Sequence, residues 1–308
     1  MIKMFKDELK QYVMDNPKLV SMRPAGDGIY VLKYKKSVFF NDLWNDFLEE
    51  CRGTIVDEDF NVVSRPFTKI YNYGIEKKAP VLDANTPVTA YRKVNGFMVA
   101  MTWYNGDILV STTGSTDSPY VSMAKEMMLK HGTWEDWQMA LSGYDCEGMT
   151  FMFECVHPND PHIVVEDPGM YFLGWRENSW DSKVHGYGEL MAGCWQDFAL
   201  KDLHCFFPDA KITTIGDLVK ESKTVKHEGF VFYTEDGASA KIKSPYYLTS
   251  KWVARNPRTD KLVDMNKDIK HNIDEEYYGL IDAIRLNIEA YTAMNEQERL
   301  EWVRNFLE

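Results

Sequence analysis

The sequence predicts an α+β fold in which antiparallel sheets are flanked by helices, with a small helical appendage at the C-terminal end. Three observations carry this expectation. Residues 51–67, 96–115 and 229–244 each set two apolar stretches about a turn signal, as hairpins do. Helical spacing recurs between them, near 118–142 and 186–203. From about residue 250 the hairpin signals stop and helical patterns follow. The expected division is therefore residues 1–248 for the main domain and 249–308 for the appendage.

Taken in order, residues 3–15 interleave charges with apolar side chains and read as a surface helix, not a signal peptide. GIYVLKY reads as a strand, and residues 41–50 again have helical spacing. CRGTIVDEDFNVVSRPF turns on its acidic centre. APVLDANTP carries Pro80 and Pro87 and runs extended toward Lys93. The second hairpin turns at Asn105-Gly106 and the third at Asp236-Gly237, dipeptides suited to tight turns that need positive φ. In the tail, Ile281, Ile284 and Ile288 fall at i, i+3 and i+7, and Asn295 is placed to cap the last helix.

Composition bounds the function. A 44% hydrophobic chain of 308 residues buries a substantial core. No apolar run is long enough to span a bilayer, so the expectation is a soluble, cytoplasmic protein without a membrane partner. The five cysteines contain no C-x-x-C pair, which argues against a zinc knuckle and for reduced thiols. A net charge of −12 opposes general affinity for nucleic acid, and an enzyme of nucleic acids would need its basic residues focused in one groove. GYGELMAG at 186–193 has the wrong glycine spacing for a dinucleotide loop, and no P-loop is present.

The chemistry concentrates in four short segments. Tyr91-Arg92-Lys93-Val94-Asn95-Gly96 places a lysine at the end of one strand and a glycine just before another. Thr150-Phe151-Met152-Phe153 ends in Glu154, and Glu228 stands immediately before the glycine that opens the third hairpin. Strand alternation puts Lys241 and Lys243 on one face, where two ammonium groups suit a polyphosphate. Taken singly, each has an ordinary alternative: a solvated lysine by a turn, a carboxylate at a strand end, a cationic edge. His157 and His162 flank a Pro-Asn-Asp-Pro turn and read as surface residues.

In combination, K-V-N-G, FMFE, EGFVF and KIK resemble the covalent nucleotidyltransferase superfamily of ligases and RNA-capping enzymes, which implies an adenylation-domain fold. The upstream C-R-G-T-I-V and SRPFTKIYNYG, together with Leu173-Gly174-Trp175-Arg176-Glu177-Asn178, are most similar to the T-even phage RNA ligase 1 type. The resemblance covers about residues 50–248. It implies that Lys93 is the nucleophile that takes AMP from ATP, in a motif that includes Asn95 and Gly96. It implies that Glu154 contacts the AMP ribose, that Glu228 helps hold Mg²⁺ or Mn²⁺, and that Lys241 and Lys243 hold phosphates. Arg52 and Lys69 would bind the departing pyrophosphate. Asn95 stands where the superfamily more often has Asp, and Thr113 stands where this type often has lysine.

The implied activity is ATP-dependent joining of an RNA 5′-phosphate to a 3′-hydroxyl through lysyl-AMP and adenylated RNA, on single-stranded or tRNA-like ends. No protein partner is predicted, and phage origin fits the resemblance. Two alternatives are carried: a catalytically silent RNA-end binder, suggested by Asn95, Thr113 and the acidic charge, and a DNA ligase or capping enzyme. The helical tail speaks against the latter, which would append an OB-fold. Tyr171, Phe172 and Trp175 are aromatic candidates for the adenine, with core packing the expectation for at least two of them.

Overall fold

The computed structural model describes residues 2–143, 146–186, 202–255 and 275–307. The strands, in chain order, are β1 Val20–Gly26, β2 Ile29–Tyr34, β3 Arg52–Asp57, β4 Val62–Ser64, β5 Tyr71–Asn72, β6 Pro87–Arg92 and β7 Phe97–Tyr104. They continue with β8 Asp107–Thr112, β9 Met149–Val156, β10 Gly169–Glu177, β11 His185–Gly186, β12 Ala210–Thr214, β13 Gly229–Tyr233 and β14 Ser239–Lys243. Helices are α1 Ile2–Asp15, α2 Lys36–Phe40, α3 Asp46–Glu50, α4 Pro119–His131, α5 Trp134–Leu141, α6 Ile215–Ser222 and α7 Pro245–Ala254. Near the C-terminus lie α8 Tyr278–Leu286, α9 Ile288–Ala293 and α10 Glu296–Leu307. Among the described residues no helix is long and apolar enough to cross a membrane.

Strands and helices form two compact units, one of residues 1–70, 96–160 and 166–209 and the other of residues 71–95, 161–165 and 210–308. The expected boundary after residue 248 falls inside α7 of the second unit.

The first unit holds two antiparallel sheets, ordered β1-β2-β3-β4 and β11-β10-β9-β7-β8. One face of the second sheet buries Val99, Met101, Phe151, Phe153 and Phe172 against α4 and α5, which contribute Val121, Met127, Met128 and Trp137. Each such aliphatic or phenyl side chain removed from water stabilises the fold by about 1.5–3 kcal/mol. Trp137 is fully buried and satisfies its indole by donating to the Met128 carbonyl at 2.9 Å. The helical pattern over 118–142 resolves into α4 and α5 because Gly132 and Thr133 interrupt it. Thr133 caps α5 reciprocally with Asp136. The pattern at 41–50 likewise yields only the short α3, capped by Asn45.

The second unit is built on the sheet β12-β6-β13-β14-β5, antiparallel except where β5 joins β14. Val88, Ala90, Phe230, Phe232 and Ala240 bury one face against Ile215 and Leu218 of α6. A separate cluster gathers Val253, Leu280, Ile281, Ile284, Tyr291, Leu300 and Val303 from the C-terminal helices. Reciprocal capping recurs at the last helix, where Asn295 accepts from the Glu298 amide at 3.0 Å and Glu298 accepts from the Asn295 amide at 2.8 Å. The three expected hairpins are present as β3–β4, β7–β8 and β13–β14. The helix expected over 186–203 and nearly all of GYGELMAG lie outside the described residues.

Candidate functional site

Lys93 follows β6, and its amide donates to the Gly229 carbonyl at 2.8 Å, which extends the pairing of β6 with β13 by one step. Because Val88, Ala90, Phe230 and Ala240 turn into the core, alternation turns Tyr91, Val231 and Lys241 to the opposite face, with Lys93 and Lys243 beyond them. Gly229 lies between Lys93 and Lys243 in this ladder. A Cβ there would sit 2.0 Å from the Ile242 carbonyl oxygen, at a φ of +125°.

The ammonium groups converge on one buried carboxylate. Glu228, whose side chain is 3% exposed, lies 3.0 Å from Lys93 Nζ through Oε2 and 3.1 Å from Lys243 Nζ through Oε1. Asn95 Nδ2 also donates to Oε2, at 2.8 Å, and Asn95 Oδ1 accepts from the Val164 amide at 3.1 Å. Burial disfavours the ionised carboxylate, but Lys93 and Lys243 outweigh it and hold the Glu228 pKa below its usual range.

A depressed carboxyl pKa stabilises the fold above the unfolded value of 4.5, and that stabilisation is lost as the pH falls through the lower folded value. The difference in urea midpoint between wild type and Glu228→Gln should therefore shrink as the pH drops below about 4.5. A difference independent of pH would refute the ion-pair account.

Two residues that sequence reasoning missed adjoin this cluster within the second unit. Tyr247 hydrogen-bonds the Asn95 side chain, and its pKa is pushed up to about 12, first by burial and then by Glu228. Lys243 and Lys251 place their Nζ atoms 4.8 Å and 5.6 Å from the Tyr247 ring centre. Burial, then Lys243, lowers the Lys251 pKa. The only sequence signal was Ser244-Pro245, a helix start directly after the KIK strand.

In the first unit, Gly96 N donates to Glu154 Oε1 at 3.1 Å, and Met98 pairs with Glu154 across β7 and β9. A Cβ on Gly96 would lie 2.2 Å from the Cys155 carbonyl oxygen, so this approach requires glycine. The Cys155 thiol is pushed up, by burial and then by Glu154, and is held protonated.

Arg52 opens β3, and Lys69 is buried with its Nζ 4.9 Å from the Trp44 ring centre. Their segments are tied by a buried two-pronged ion pair, Arg65 to Glu50 at 2.6 and 2.9 Å. Arg65 also donates its amide to Thr150 Oγ1 at 2.8 Å, and Lys69 N donates to the Glu49 carbonyl at 3.2 Å.

Some expectations take a different form. His157 is buried, not superficial: its Nδ1 accepts from the Asn159 amide at 3.0 Å and its Nε2 lies 3.2 Å from Glu126. Packing explains it, because the residue directly follows β9 and closes the buried run from Thr150. Phe172 and Trp175 pack on the main core of the first unit, and Trp175 stacks on His185 at 4.4 Å. Among the described residues no group of three or more His, Cys, Asp or Glu could hold a metal. Glu228 alone still fits Mg²⁺, which commonly binds through one or two carboxylates with substrate phosphates and water completing its shell.

Comparison with known proteins gives the family and the fold. The RNA ligase family model matches residues 50–247. Over 287 residues the chain is 24% identical to a putative bifunctional polynucleotide kinase/RNA ligase of Autographa californica nuclear polyhedrosis virus, covering 85% of the chain and 39% of that protein. Over 140 residues it is 31% identical to RNA ligase 1 of bacteriophage TS2126, covering 41% of the chain and 34% of that protein. The chain thus spans well under half the length of these curated relatives. An archaeal ATP-dependent RNA ligase superposes with a TM-score of 0.55 at 14% identity, covering 96% of this chain and 75% of the other. A putative ATP-dependent DNA ligase from Aquifex aeolicus gives 0.52 at 16% identity, covering 96% and 76%. These likenesses establish the fold as that of a ligase nucleotidyltransferase domain.

Proposed function

Because this chain belongs to the RNA ligase family, we propose that it is an ATP-dependent RNA ligase that joins 5′-phosphate to 3′-hydroxyl ends, with Lys93 as the residue that carries AMP. The observation that supports it most is the pairing of Lys93 and Lys243 on the single buried carboxylate of Glu228. A structural ion pair needs one cation. A second ammonium beside it favours an anionic substrate.

Lysine attacks only when neutral, and at its ordinary pKa of about 10.4 few molecules are neutral at pH 7. The 3.0 Å contact to Glu228 favours the protonated form, so attack requires Lys93 to leave that carboxylate. Lys243 at 3.1 Å and Asn95 at 2.8 Å keep Glu228 satisfied when Lys93 turns away. Beside Lys243 and without its counter-ion, Lys93 loses its proton more readily.

Nζ then bonds to the α-phosphorus of ATP, the bridging oxygen leaves with pyrophosphate, and the ammonium proton passes to solvent. Lys241, Lys243, Arg52 and Lys69 are the cations proposed to hold the phosphates, and Glu154 to accept from the AMP ribose. Mg²⁺ or Mn²⁺, held by Glu228 and phosphate oxygens, would neutralise charge on the leaving group. An RNA 5′-phosphate oxygen next displaces Lys93 from the adenylate. A 3′-hydroxyl then displaces AMP and seals the strand.

Single-stranded or tRNA-like ends, action without a protein partner and a phage-encoded role in host cytoplasm belong to the same proposal; the phage and baculovirus relatives support the last. The division into a catalytic domain to residue 248 and an appendage after it is part of the proposal too. Incubation with Mg²⁺ and ATP should add the mass of one AMP to the intact protein, and a 5′-phosphorylated RNA should then circularise. A gain with GTP instead would indicate capping chemistry, and no gain with either nucleotide would sink the proposal.

A further inference from the structure

A cation from another strand stands beside Thr113. Lys33 of β2 places its Nζ 3.3 Å from Thr113 Oγ1. Two glycines admit it. A Cβ on Gly114 would lie 2.8 Å from both Cδ and Nζ of Lys33, and a Cβ on Gly53 would lie 2.9 Å from Thr113 Cα.

The same lysine pairs directly across the sheet with Arg52, immediately after a register shift between Val31 and Lys33. Like charges directly opposite in an antiparallel pair are destabilising, and an irregularity of this kind re-aims side chains. Lys33 is half-buried, which adds a desolvation cost. Its ammonium is disfavoured first by that burial and then by Arg23 and Arg52, which are both cationic. An anion bound between Lys33 and Arg52 would remove the repulsion.

We propose that Lys33, with Arg52 and Thr113, forms a subsite for the terminal phosphates of ATP, Lys33 supplying from β2 the charge that Thr113 does not. The inference rests on the ligase reading for its ligand, but its geometry lies wholly within the first unit. Lys33 would contact the β- and γ-phosphates, taking part in binding and in departure of pyrophosphate. It would have no work to do once Lys93 is adenylated.

Three measurements on the full chain test it. Lys33→Ala should raise the KM for ATP in adenylation about tenfold or more, the loss of one charge-assisted contact. It should leave sealing of a pre-adenylated RNA unchanged. Lys33→Ala with Thr113→Lys should recover a substantial part of the loss, because the charge returns to the same place. An unchanged KM, an equal loss in sealing of pre-adenylated RNA, or no recovery in the double variant would overturn the subsite. Titration with inorganic pyrophosphate by calorimetry separates this from the ligase reading. If wild type binds pyrophosphate and Lys33→Ala binds it more weakly, the subsite stands even where no adenylation is seen. Equal binding by the two proteins, or no binding by wild type, would refute it.

Discussion

Lys93→Ala is expected to show no AMP-sized mass gain after incubation with ATP and Mg²⁺, while unfolding within about 1 kcal/mol of wild type. The two halves of this result have separate causes. Attachment is lost because the amine proposed to carry AMP is gone, and the neighbouring Lys243 Nζ is held on the other oxygen of Glu228, Oε1, at 3.1 Å. Stability is kept because Glu228, though buried, retains Lys243 at 3.1 Å and Asn95 at 2.8 Å and is not left as an uncompensated charge. The 22% exposure of the Lys93 side chain also means that truncation opens no sealed cavity. Urea denaturation read beside intact-mass spectrometry checks both. Labelling that persists in the variant would remove Lys93 from the role proposed for it.

Gly229→Ala is expected to do the greater damage to the fold, destabilising it by roughly 3 kcal/mol or more. Its φ of +125° is one that residues with a side chain rarely adopt. The added carbon would also lie 2.0 Å from the Ile242 oxygen and 2.9 Å from Lys243 Cα, both main-chain atoms that cannot rotate away. Relief requires β13 and β14 to part at the Gly229–Lys243 pair. That movement carries Lys243 away from Glu228, so adenylation should fall together with the urea midpoint. A variant with wild-type stability would show that the chain relaxes there without cost.

The parts legible in the sequence were those set by local chemistry. Asn105 and Gly106 have φ of +51° and +80°, the tight turn their side chains suggest, and Gly237 at +88° closes the third hairpin in the same way. Lys241 and Lys243 could be placed on one face because alternation needs no tertiary information. Other strands gave no such signal. Residues of β12 are all exposed or half-exposed, so no apolar period marks them, yet they pair with β6 along its length. In β1 the pairing is broken between Pro24 and Gly26, which hides it from the same test.

The site divides in the same manner. Lys93, Glu154, Glu228 and Lys243 are named by motifs, whereas Lys33 and Tyr247 acquire their surroundings only from strand register and helix packing. Sequence distance conceals this: Lys33 is 80 positions from Thr113. The burial of His157 was also unreadable, since the Pro-Asn-Asp-Pro turn beside it suggested surface.

Asn95 alters how acid reaches the nucleophile. An aspartate at that position would face Glu228 with a second carboxylate at the 2.8 Å separation now spanned by an amide N–H. Such a dyad titrates as a coupled pair, its protons shared and its two macroscopic constants driven apart. The amide cannot ionise. It offers one oxygen to the Val164 amide and one N–H to Glu228, so a single carboxylate titrates beside Lys93 and the pocket takes up one proton where a dyad would take up two.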